Sequence, residues 1–185
     1  MNLFFSLVAS LQLLKMTEAP LVSYENFMSH CAGMIYAKNM DLLRRFSLVP
    51  GVLPGQKPQD AASDDPNALE EFIGKFPKGS LAQEYLRFET ALRHSAMKLR
   101  AAKLGAAFAA PNPVERERVL DTARWTKLDE LEAKNVTRFN FDTLCAYSIR
   151  IQIAEKWAAR NAGNSAEGLD RTVSSVRASD PALQS

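Results

Sequence analysis

Residues 80–105 read SLAQEYLRFETALRHSAMKLRAAKLG. Ser80 followed three positions on by Gln83 is a capping box: the hydroxyl accepts from a backbone N–H of the first turn, and the Gln side chain reaches back. Gly105 is a natural stop after Leu104, because glycine adopts the left-handed turn that closes a helix. Between these marks Leu81, Tyr85, Phe88, Leu92, Ser95, Leu99 and Ala102 alternate spacings of four and three, an apolar seam with one polar gap. At 1.5 Å per residue the predicted helix is roughly 35 Å long. One apolar seam needs partner helices to cover it, so the neighbouring stretches decide the fold.

Downstream, Asn112-Pro113-Val114-Glu115 is a second helix start, with Asn as cap, Pro in the first turn where its missing N–H costs nothing, and Glu able to reach back. This helix is expected to run to about Asn135. Val119, Leu120, Ala123, Leu128 and Leu131 are its expected buried residues, and Glu115, Arg118, Glu130 and Lys134 its wet side. Glu130 and Lys134 stand four apart in the favourable order. A third long helix is expected from Asn140 or Asp142 to Asn161 or Gly163. Leu144, Tyr147, Ile151, Ala154 and Ala158 form its main face, and Ile149, Ile153 and Trp157 broaden it, so burial on more than one side is expected. The connections Gly105–Pro111 and Asn135–Asn140 are short enough to make consecutive helices neighbours.

Upstream, Ser23 caps a helix in which Tyr24, Phe27, Met28 and Cys31 share a face, and Asn39–Phe46 reads as a short helix burying Leu42, Leu43 and Phe46. Residues 50–66 are rich in Pro, Gly, Asp, Ser and Ala and are expected to form a flexible loop. Gly51, Gly55 and Lys57 do not make a phosphate-binding loop, because the spacing is wrong and no Ser or Thr follows the lysine. The tail, 164–185, is short of large apolar residues and is expected to be disordered. The fold class predicted is therefore all-α: a helical bundle with three long antiparallel helices plus shorter N-terminal helices, residues 1–163 forming a single domain.

The opening run Leu3-Phe4-Phe5-Ser6-Leu7-Val8 admits three explanations. No Lys or Arg precedes it, as a secretion signal requires, and the stretch to Leu14 falls short of the ~20 apolar residues that span a bilayer. Phe4, Leu7, Val8 and Leu11 fit one helical face, although the same run also fits the start of a buried strand. A core segment is the preferred expectation.

Among 185 residues, 23 Lys plus Arg stand against 21 Asp plus Glu, a net charge of +2 that gives no strong field for nucleic acid or anionic lipid. Cys31 and Cys145 form no CxxC pair and have only His30 and His94 to assist them, so two buried free thiols are expected rather than a metal site. His94 is expected on the surface. Glu70, Glu71, Asp129, Glu130 and Glu132 stand in contexts typical of solvated helix faces. No Ser/His/Asp or Cys/His arrangement is apparent, so no catalytic, cofactor-binding or metal residue is assigned. Asn135-Val136-Thr137 matches the glycosylation pattern, which matters only for a secreted chain. Arg93, Lys98, Arg100 and Lys103 make the second half of the long helix basic, which complements its dipole and also suits docking of an acidic partner.

Three stretches together resemble a known family: FFSLVASLQLL followed by Tyr24-Glu25-Asn26-Phe27, then LRFETALRHSAMKLRAAKLG, then the run from Asn112-Pro113 through Arg124-Trp125 and Leu128-Asp129-Glu130-Leu131 to Trp157. They are similar to a bacterial family of unknown function encoded beside V-type (V/A-type) ATPase subunits, over almost the whole span from Asn2 to Trp157. Gln12 stands where members often carry Pro, which implies a less sharp turn. Val8-Ala9-Ser10-Leu11, Leu13-Leu14 and Tyr24–Phe27 also echo, more faintly, the repeats of the socket (C/d-type) subunit, the helical protein that seats the central shaft on the membrane ring. The resemblance implies a cytoplasmic, non-catalytic component for structural coupling or assembly, peripheral to the inner membrane face through its ATPase partners. The alternative is a free-standing helical adaptor or regulator.

Overall fold

The computed structural model describes residues 3–46, 66–101, 112–134 and 139–179, with side chains placed in these ranges except at 3–4, 66–68, 96–101 and 164–179. The described residues form seven helices and no strand: α1 (Leu3–Ala9), α2 (Tyr24–Ala32), α3 (Ala37–Arg45), α4 (Pro66–Gly74), α5 (Leu81–Ala101), α6 (Pro113–Lys134) and α7 (Phe141–Ser179). None is long and apolar enough to cross a membrane.

The helix starts are chemical. Ser23 Oγ accepts the Asn26 N–H at 3.2 Å, Asn112 Oδ1 the Val114 N–H at 2.9 Å, and Asn140 Oδ1 the Thr143 N–H at 3.2 Å. At α5 the capping box has a shifted return: Ser80 Oγ accepts from Gln83 N, while Gln83 Oε1 takes the N–H of Gly79, one residue earlier than expected. Gly79 has φ of 74°, a left-handed turn that brings its N–H within reach. Two further caps arrive from α7: Asp142 takes the N–H groups of Leu81 and Ala82, both at 3.2 Å, and Glu155 takes that of Tyr24 at 2.7 Å. A carboxylate at a helix N-terminus satisfies orphan donors and meets the positive end of the dipole.

α7 is the centre of the core. It packs on α2, α3, α5 and α6, and Leu144, Cys145, Ala146, Ile149, Ile151, Ile153 and Ala154 are all buried. Burial on more than one side is thus confirmed, and it consumes the apolar coat of residues 140–161 as interior packing. Phe46 sits beside α7, its ring 5.6 Å from Phe76 and 5.7 Å from Tyr85, and its carbonyl accepts the Ser148 hydroxyl. In α1, Leu7 and Val8 are buried and Leu11 packs against the core, as the helical reading of the opening run expects. Cys31 and Cys145 are buried free thiols, and burial pushes the Cys31 thiol up to about 12.

Several expectations are corrected. α4 begins at Pro66, inside the segment assigned to the loop, and Phe72, Ile73 and Phe76 bury there. Pro at a helix start and an apolar pair four short of another aromatic were its signals. The rest of that loop lies outside the described residues, as do Gly105 and the Asn135-Val136-Thr137 motif. α7 does not end near Asn161 or Gly163 but continues to Ser179. α7 passes two glycines, Gly163 and Gly168; each costs a helix about 1 kcal/mol and does not by itself stop it.

On α5 the buried residues are Leu81, Ala82, Gln83, Tyr85, Leu86 and Glu89, with Phe88 and Leu92 half-buried and Ser95 exposed; the Leu99 side chain and Ala102 lie outside what is described. On α6, Val119 is 50% exposed, Leu120 and Ala123 are half-buried, and Asp121 joins Leu128 and Leu131 in the interior. Polar side chains at interior positions explain both shifts.

Candidate functional site

Glu89 of α5 and Asp121 of α6 are 1% and 0% exposed, yet both are charged residues. Burial at that depth is tolerable only if every oxygen finds a donor. Glu89 accepts from Arg93 Nε at 2.9 Å and from Arg124 Nε and Nη2 at 2.9 and 2.7 Å, a bidentate clamp between α5 and α6. Arg124 also donates to Asp121 at 2.9 Å, and Asp121 then receives the Trp157 indole N–H at 2.9 Å and pairs with Lys156. Lys156 and Arg160 of α7 both pair with Glu117, one turn before Asp121.

The result is a continuous seam of alternating charge linking α5, α6 and α7. On α6 it follows Glu117, Asp121, Arg124, Leu128 and Leu131, spaced four, three, four and three, a core stripe whose first half is ionic and second half apolar. A rim pair extends it: Arg150 of α7 bonds Asp129 at 2.6 Å and Glu132 at 2.7 Å while its guanidinium stacks over Trp125.

Electrostatics follow from the partners. Burial works to raise the Glu117 carboxyl, but hydrogen bonds from Arg160 and Lys156 outweigh it and hold it below the ordinary glutamate range. Burial likewise works to lower the Arg124 guanidinium, and the Glu89 bonds reverse this, pushing it up. Tyr85 lies beside the cluster with a buried hydroxyl that makes no hydrogen bond; desolvation first, and the negative field of Glu89 second, push its phenol up. Chemically, the seam clamps cation to anion and fixes three helices in register. It presents no nucleophile and base in mutual reach. Among the described residues, no three His, Cys, Asp or Glu side chains group as metal ligands.

Of the predicted docking residues, Arg93 reaches inward to Glu89. Lys98 and Arg100 belong to the part of α5 whose side chains are not described, and Lys103 lies outside the described residues. His94, Glu70, Glu71, Asp129 and Glu130 are exposed, as expected of solvated faces. Glu130 pairs with Lys127 at 3.2 Å, three residues back, instead of the expected Lys134. Lys134 lines a surface cavity of about 320 Å³ with Lys78, Glu84 and Asp142, between the starts of α5 and α7 and the end of α6. Sequence reasoning missed the seam because it assigned no face to Glu89, Glu117, Asp121, Lys156 or Arg160 and sought the buried residues of α6 among apolar side chains alone. The four-three spacing of Glu117, Asp121 and Arg124 in phase with Leu128 and Leu131 was the available signal.

No family model, no curated protein and no solved structure matches this chain.

Proposed function

We propose that the protein is a non-catalytic helical subunit of a V/A-type ATPase, cytoplasmic and peripheral to the membrane, which couples the central stalk to the membrane rotor ring or assists assembly of that junction. The observation that carries this reading is α7, one uninterrupted helix of 39 residues, roughly 58 Å long at 1.5 Å per residue. Its first half is gripped by α2, α3, α5 and α6, and the helix then runs on past Gly163. A long helix whose first half is held in a bundle suits the transmission of force between two bodies. The sequence resemblance supplies the partner class. Lys98, Arg100 and Lys103 form the proposed docking strip, the fourth basic residue of the run, Arg93, being paired with Glu89.

The contact register supports three long helices running antiparallel in succession. Glu117 near the start of α6 meets Lys156 and Arg160, while Asp129 further along meets Arg150, which supports opposite senses for α6 and α7. Glu89 meets Arg124 while Leu81 and Leu131 line one cavity, which supports the same relation for α5 and α6.

Isolation of the intact ATPase from the host through a tag on a motor subunit, followed by native mass spectrometry, tests the proposal. The expected result is this chain in the complex at fixed stoichiometry. A stable complex with every motor subunit and none of this chain eliminates the stoichiometric role and leaves only assembly.

A free-standing adaptor is the second reading, favoured by one observation. Leu13 and Leu21 are each 91% exposed on a segment pinned at its neck, where Gln12 Oε1 accepts the Leu21 N–H at 3.2 Å. In this reading the two exposed leucines together form the contact surface for a partner. This reading expects gene deletion to leave ion pumping intact; loss of pumping contradicts it.

A further inference from the structure

The two halves of α6 are attached by different physics. The C-terminal half sends Leu128 and Leu131 into the core, whereas the only residue of the N-terminal half fully removed from solvent is Asp121. Around Asp121 the attachment to α5 and α7 is made by Glu117, Arg124, Glu89, Lys156 and Arg160. Opening an apolar seam exposes hydrocarbon to water, and nothing offsets the loss. Opening an ionic seam returns each charge to water, and the regained hydration offsets much of the lost Coulomb attraction. Glu117, Lys156 and Arg160 are already a quarter to a third exposed, so their hydration is partly in place.

We propose that the N-terminal half of α6, from Pro113 to Arg124, is a strap that detaches from α5 and α7 as a unit while the C-terminal half stays docked. The deepest groups uncovered are Glu89 on α5 and Trp157 on α7, whose indole N–H leaves Asp121 for water. Detachment is a local opening well below the global unfolding transition, drawn from the low-stability end of the molecule. It is a conformational device independent of the ATPase assignment.

Native-state amide hydrogen exchange of the full chain tests it. Amides of residues 120–124, beyond the first fraying turn, are expected to exchange at least about tenfold faster than those of residues 128–132. In the paired variant Glu89→Leu with Arg124→Leu, which exchanges the central ion pair for apolar contact, that gap is expected to narrow. Equal rates for the two halves in the wild type overturn the proposal. So does an unchanged gap in the paired variant, because simple end fraying ignores the chemistry of the seam. Should the paired variant fail to fold, a Trp125→Phe variant leaves Trp157 as the sole indole of the two in the chain. Its acrylamide quenching is expected to rise at urea concentrations below the loss of helical circular dichroism. Coincident transitions overturn the strap.

Discussion

α7 and α6 lie side by side, yet they are held in opposite ways. From Leu144 to Ala154, α7 is enclosed by apolar side chains on several faces, and its polar residues there either sit at the margin, as Arg150 does, or bond backbone, as Ser148 does with the Cys145 carbonyl at 2.8 Å. α6 turns a half-ionic stripe toward the same neighbours. Apolar burial gives non-directional adhesion in proportion to area, whereas the ionic seam gives little net adhesion and strong register, since each carboxylate accepts only from donors at fixed places. The comparison teaches that one bundle divides its labour: α7 supplies stability and α6 supplies alignment.

The largest expected effect breaks the ionic side. Glu89→Ala leaves Arg124 buried against Asp121 alone and is expected to lower stability by about 4 kcal/mol, read as a shift in the urea midpoint. Next, Ile149→Ala on α7 removes a fully buried side chain among unyielding neighbours, for an expected loss of about 3 kcal/mol in the same measurement. The two variants sharpen the contrast through their rescue: an apolar partner change restores the first, and nothing short of volume restores the second.

How legible this was in the sequence follows from the same division. The α7 face from Leu144 to Trp157, the caps at Ser23, Ser80, Asn112 and Asn140, the buried thiols and the all-helical class all rest on local periodicity or cap chemistry, which the sequence carries directly. Asp121 and Glu89 do not. Each has one local partner, Arg93 for Glu89 and Arg124 for Asp121, but the donors that complete the pairing, Arg124 for Glu89 and Trp157 for Asp121, stand 35 or more positions away and outside any local window. Val119 was expected inside because it is apolar, but the stripe that faces α5 and α7 is set by Asp121 and Arg124. The start of α4 was obscured by the Pro- and Asp-rich run before it, and the end of α7 by a glycine that the helix tolerates.

A smaller effect, about 1 kcal/mol, is expected for Asp142→Ala, which strips α5 of a cap borrowed from α7; a thermal melt checks it. Titration adds two signs. Glu117 sits below its ordinary range when folded, so its contribution is present above the unfolded glutamate value, about 4.3, and is lost as pH falls through its folded pKa. The Cys31 thiol sits at about 12, above its unfolded value, so its contribution is full below that value and is lost as pH rises toward 12. Urea midpoints between pH 3 and 11 are therefore expected to decline at both ends, and Glu117→Gln is expected to flatten the acid limb. The smallest effect is Val119→Thr on the exposed side of α6, within about 0.5 kcal/mol of wild type.

A double-mutant cycle on Glu89 and Arg124 tests most directly whether α6 is aligned by charge rather than glued by area. Glu89→Leu, Arg124→Leu and the pair are measured by equilibrium urea unfolding. The expected result is a double variant more stable than either single one, with a coupling of about 2 kcal/mol or more. Additive losses, with the double variant the least stable of the three, contradict the account.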